Sequence, residues 1–205
     1  MTTNRLEAFS DGVLAIAATL LVLDLHVPNV HPGMSLAHEL GREWPNFAAY
    51  AISFATIGII WINHHAMIRR LREVDHTILT LNLGLLLSIG LLPFTTAAMA
   101  AYLNRTQGQH LAAAIYSGSF LLMSIMFAAT QRHILFPKAH LLAASLTEQD
   151  RRAILRRGVT GLVPYLVATA LAIVSAYATL AVCGAVAVFY ALPRTTADTA
   201  PTRHE

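Results

Sequence analysis

Five stretches of the chain, 12–23, 44–68, 76–104, 106–131 and 158–193, contain no Asp, Glu, Lys or Arg. An unpaired ion at the centre of a bilayer costs at least about 2.5–3.5 kcal/mol, so such runs mark where a chain can cross a membrane. The overall balance agrees, with 56% of the 205 residues hydrophobic and only 12% charged, against roughly 25% charged in a soluble domain. A disordered chain is excluded. An all-α integral membrane protein with one membrane domain is expected.

Length divides the runs into spans. The first run is short, but residues 9–27 suffice if Asp11 and Asp24 sit near the two membrane boundaries. The last run has the opposite problem: as one helix its 36 residues would reach about 54 Å, well beyond a hydrocarbon core of about 30 Å. Two thin spans meeting near Ser175, Ala176 and Tyr177 fit better. Spans are therefore expected at about 9–27, 46–68, 76–102, 109–131, 158–175 and 177–193, with a short polar cytoplasmic tail over 194–205.

Basic residues set the orientation. With six spans and both termini cytoplasmic, 12 of the 14 Lys and Arg residues fall on the inner side, and only Arg42 and Arg105 outside. Five spans would move Arg194 and Arg203 outside and weaken that bias. A cleaved leader is not expected, because Glu7 and Asp11 interrupt its basic region. Residues 35–42 of the first outer loop are expected to form a short helix. Thr147, followed three residues later by Asp150, reads as the start of another running through Arg157. The tail is expected to be disordered. A single cysteine, Cys183, excludes an intrachain disulfide.

The first span carries the functional pattern. At 100° per residue Ile16, Thr19, Leu20 and Leu23 share one stripe of a helix. An Ile/Leu stripe by itself is more often a packing surface than a pore. Asp11 lies about 140° from Ile16, on the face shared with Ala15 and Ala18, where small residues allow close helix approach. A carboxylate within a span needs a buried polar partner or water.

The surrounding residues resemble a known family. Arg5-Leu-Glu-Ala-Phe9-Ser10-Asp11, followed by Gly-Val-Leu-Ala-Ile-Ala-Ala-Thr-Leu-Leu-Val-Leu-Asp, is similar to the R-x-x-x-F-S-D signature of the transmembrane protein 175 family, potassium channels of lysosomes and endosomes with prokaryotic relatives. Trp61-x-x-His64-His65, Leu81-Asn82-Leu83 and Leu92-Pro93-Phe94-Thr95 continue the likeness in the family's order. The resemblance implies one six-span unit per chain, a homotetramer, and a central pore lined by the first helix. It implies a pore constriction at Ile16, Leu20 and Leu23, and a selectivity layer at Thr19. It also implies that the signature residues Arg5, Phe9, Ser10 and Asp11 hold the pore helix through a polar network with Trp61, His65 and Asn82. Leu14 and Ala18 stand where bulkier Phe and Ile are common in the family, and both point away from the pore stripe.

Together these readings predict a potassium-permeable cation channel in a prokaryotic plasma membrane. No TVGYG filter exists in the chain; a ring of apolar side chains is expected to gate by excluding water, while threonine hydroxyls favour the ion that sheds water more cheaply. The alternatives are a proton-conducting channel on the same scaffold and a secondary transporter, though polar midplane groups and broken helices of the transporter kind are sparse here. No enzyme, cofactor, metal site or nucleic-acid partner is expected. His64, His65 and His76 lack an accompanying acid cluster. Arg151, Arg152, Arg156 and Arg157 read as cytoplasmic retention with possible contact to anionic headgroups. His26, His31 and His38 lie near the expected outer entrance, where pH sensitivity has weak support, and Asn104-Arg105-Thr106 matches a glycosylation acceptor too short to decide anything.

Overall fold

The computed structural model describes residues 3–28, 35–144 and 146–192. His31 and the tail expected over 194–205 lie outside the described residues. Helix α1 is Thr3–Leu20, extended by a 3-10 turn over Leu21–Asp24; α2 is Leu36–Arg42 and α3 Trp44–Ile68. Then come α4 (His76–Gly90), α5 (Leu92–Tyr102), α6 (Gln109–Leu135), α7 (Glu148–Thr160), α8 (Leu162–Leu171) and α9 (Ala176–Ala191).

Five segments are long and apolar enough to cross a membrane: Thr3–Asp24, Trp44–Ile68, His76–Tyr102, Gln109–Leu135 and Glu148–Leu171. Helix α9 is apolar but only 16 residues long, about 24 Å. Helix length therefore supports five crossings outright, and a sixth through α9 needs local bilayer thinning or flanking residues to make up the difference. The final apolar run divides at 172–175, where Ser175 caps α9 by accepting from the N–H of Ala178 at 3.2 Å. The fifth crossing begins earlier than its charge-free run, at Glu148, because Thr147 caps α7 there and accepts from the N–H of Asp150.

Local chemistry sets the other boundaries. Ser35 caps α2 by accepting from the N–H of His38. Asp75 caps α4. The third crossing bends between α4 and α5, just ahead of Pro93, which lacks the N–H that would bond back one turn. Gly108, which precedes α6, has φ of +85°, and a Cβ there would stand 2.8 Å from the Tyr102 ring. Only glycine suits that position.

Helix α6 forms the centre of the bundle, packed by α4, α5, α8 and α9. Its Tyr116 and Phe120 are fully buried, with ring centroids 4.7 Å apart. Hydroxyls join the helices: Ser53 Oγ lies 2.8 Å from Thr96 Oγ1 and 3.2 Å from the Tyr116 hydroxyl, and Thr95 Oγ1 lies 3.0 Å from Ser119 Oγ. These bonds tie α3, α5 and α6 together away from water.

Candidate pore helix and its polar support

Helix α1 has a packed side and a bare side. Leu6, Ser10, Leu14, Ala17 and Leu21 are buried, spaced by three and four residues as one helical stripe requires. On the other side Ile16 is 60% exposed, Leu20 43% and Leu23 67%, with Thr19 exposed among them. The other described residues leave all four exposed. Thr19 donates its hydroxyl proton to the carbonyl of Ile16 at 2.9 Å, which leaves the oxygen lone pairs as the outward-facing feature of that side chain. Leu14 belongs to the packed side and Ala18 is half-buried against the core, so neither lies on the bare stripe.

Three contacts hold the packed side. The indole Nε1 of Trp61 donates to Asp11 Oδ1 at 2.9 Å, and Nδ1 of His65 lies 2.5 Å from Glu7 Oε1. Glu7 and Asp11 are one turn apart on α1, and Trp61 and His65 are one turn apart on antiparallel α3. The two contacts thus form successive rungs. Behind them runs a third, fully buried connection: Asn82 Nδ2 donates to Ser10 Oγ at 3.0 Å, and Ser10 donates onward to the Leu6 carbonyl at 2.9 Å. The Oδ1 of Asn82 then faces Nε2 of His64 at 2.8 Å, which fixes that nitrogen as the protonated one.

The structure therefore brings Asp11 to Trp61 and Ser10 to Asn82, while His65 meets Glu7 and not Asp11. Arg5 is exposed, and among the described residues no ion pair joins it to Asp11. Phe9 is 53% exposed and stands apart from these bonds. On a helical wheel both Arg5 and Phe9 fall close to the line of Ile16 and Leu23. Two members escaped sequence reasoning. Glu7 was visible as the residue one turn before Asp11, and His64, 1% exposed, as the neighbour of His65 about 100° round α3. Among the described residues no group of three or more His, Cys, Asp or Glu could hold a metal ion.

This architecture is that of an all-helical, multi-pass membrane protein whose amino-terminal helix is anchored on one side and bare on the other. A family model described as endosomal/lysosomal potassium channel TMEM175 matches residues 5–93, which contain every residue of the three contacts. Over 92% of its length the chain is 41% identical to a potassium channel of Streptomyces collinus, covering 91% of that protein. The crystal structure of a TMEM175 homologue from Chamaesiphon minutus, described as a lysosomal potassium-selective channel homologue, superposes with a TM-score of 0.82 at 36% identity, over 92% of this chain and 96% of that one. A mouse protein described as the endosomal/lysosomal proton channel TMEM175 is 39% identical over 110 residues, half of this chain and 22% of the mouse protein. The chain belongs to the TMEM175 family.

Proposed function

We propose that four copies of the chain surround a central axis lined by α1 and conduct potassium and similar monovalent cations through a prokaryotic plasma membrane, with both termini on the cytoplasmic side. The activity is transport, not catalysis. One observation carries the reading: the side of α1 bearing Ile16, Thr19, Leu20 and Leu23 is exposed among the described residues, although the opposite side of the same helix is packed along its length and its first half is tied to neighbouring helices by hydrogen bonds. The similar channels of Streptomyces collinus and Chamaesiphon minutus, which this chain matches almost end to end, support it. So does the concentration of arginine at one end of the bundle.

Apolar rings of Ile16, Leu20 and Leu23 exclude water when narrow and admit a partly hydrated ion when they widen. The Thr19 oxygens, their proton already committed to the Ile16 carbonyl, offer acceptors to an ion that has lost part of its shell. Potassium sheds water more cheaply than sodium and is favoured.

The test is conductance in reconstituted liposomes. Ile16→Ala and Leu23→Ala should raise leak through the constriction, and Thr19→Val should reduce the potassium preference. Unchanged conductance and ion preference in all three would place the constriction elsewhere. A second reading, proton conduction on the same scaffold, has the vertebrate proton-channel relative in its favour. Currents that follow a pH gradient and ignore potassium substitution would select it.

A further inference from the structure

Between α3, α6, α7 and α8 the bundle leaves a cavity of about 490 Å³ that has no part in the pore helix. Its two ends differ in chemistry. Arg70 and Arg157 stand at one end, at the arginine-rich face of the bundle; toward the other the walls are Ile59, Ile60, Met123 and Phe127. Along α3 the cavity extends from Ala66 to Thr56, 10 residues on, or about 15 Å of helical rise, with Arg70 just beyond the helix end. That is about half of a hydrocarbon core of about 30 Å, the depth of one leaflet's acyl region.

Among the described residues neither arginine forms an ion pair, so two positive charges stand uncompensated at that end of the cavity. Gln131, on the cavity wall, is 8% exposed, and its amide oxygen packs against Gly158 of α7, where a Cβ would clash with it.

We propose that this cavity binds an anionic phospholipid of the phosphatidylglycerol kind. The phosphate lies between Arg70 and Arg157, and an acyl chain fills the apolar part. Basic pockets between membrane helices recognise anionic headgroups in this way. A free phosphate would satisfy the arginines but leave the apolar wall unused, and a zwitterionic lipid would fill that wall while bringing its own cation to the arginines.

Native mass spectrometry of the purified protein in nonionic detergent tests the assignment, with phosphatidylglycerol, phosphatidylcholine and inorganic phosphate as probes. Phosphatidylglycerol should bind at one per chain and more tightly than phosphatidylcholine. Arg70→Gln with Arg157→Gln should weaken phosphatidylglycerol by about tenfold or more. Ser124→Trp, which obstructs the apolar part and keeps both arginines, should weaken it too; Arg152→Gln, on a solvent-facing pair with Glu148, should not. In the unaltered protein, raising salt toward about 1 M should release phosphatidylglycerol and spare phosphatidylcholine, a readout that needs no variant to fold. Equal binding of the two lipids, wild-type binding by the double arginine variant, or displacement of phosphatidylglycerol by equimolar inorganic phosphate would each overturn the proposal.

Discussion

Asn82 uses its single amide in two directions, donating to Ser10 and accepting from His64, and is itself fully buried. It joins α4 to α1 and α3 at one point. An average interhelical hydrogen bond in a membrane contributes only about 0.6 kcal/mol, but removing this amide strands the buried Nε2–H of His64, at about 1–3 kcal/mol, and also takes the donor from Ser10, whose own proton still goes to the Leu6 carbonyl. Asn82→Ala should therefore destabilise the protein by more than Asn63→Ala, whose amide bonds only to the Ile59 carbonyl of its own helix at an exposed site. Thermal melts in detergent check the order, and equal melting temperatures would remove Asn82 from the support of α1. Much of this cluster was legible beforehand. Ser10, Asp11, Trp61 and Asn82 are polar residues inside apolar runs, and each must find a partner. Which partner it finds was not legible, because that depends on how α1, α3 and α4 are rotated about their axes. His65 met Glu7 for that reason, and His64 took the buried place beside Asn82.

Helix α4 begins at a point where three segments meet. The Asp75 carboxylate accepts from the N–H of Ile78 at 2.8 Å and lies 3.2 Å from Lys138 Nζ and 3.6 Å from His133 Nε2, at the far end of α6. Desolvation there pushes its pKa up, but the Ile78 N–H and the hydrogen bonds from Lys138 and His133 outweigh it and hold the carboxyl below its ordinary 3.8. A depressed carboxyl contributes stability above its unfolded value and loses it as pH falls through the folded one. Asp75→Asn keeps an acceptor for the cap and loses the charge. Its melting temperature should sit below wild type at neutral pH by an amount fitting a partly exposed pair, about 0.5–1 kcal/mol, and the gap should close below about pH 4. A gap that persists in acid would mean that the cap geometry, and not the charge, holds the junction. The cap itself was not among the sequence expectations, although an Asp three residues before Ile78 is a recognisable helix start. By contrast, the start at Thr147 was readable from side-chain oxygens alone, and the helix over 35–42 was expected without its Ser35 cap. The length of the last two helices was not, since hydropathy gives the extent of an apolar run and only backbone geometry divides it.

The proposed assembly would account for the bare stripe of α1. A single chain exposes Ile16, Leu20 and Leu23 together with much of α4 and α5, including Leu83, Leu87 and Phe94, and exposure alone does not distinguish a face turned to lipid from one turned to a neighbouring copy. Chemistry does better: lipid tails offer nothing to the Thr19 oxygen, near the Ile16 line, whereas a shared axis gives it water and ions. Four α1 helices round that axis also bring equivalent residues of separate chains close together. The chain is suited to the experiment, because its one cysteine, Cys183, is 0% exposed and a new thiol would react alone. In membranes treated with a short thiol cross-linker, Leu23→Cys should give disulfide-type dimers, since each new thiol is used once. A longer amine-reactive or glutaraldehyde treatment of the same sample should add bands up to four chains. Cys at Leu87, on α4, should dimerise far less. Strong cross-linking at 87 with none at 23 would put the axis on another helix and leave the α1 stripe facing lipid, whereas a ladder that stops at two chains would keep α1 at the axis and overturn the fourfold assembly.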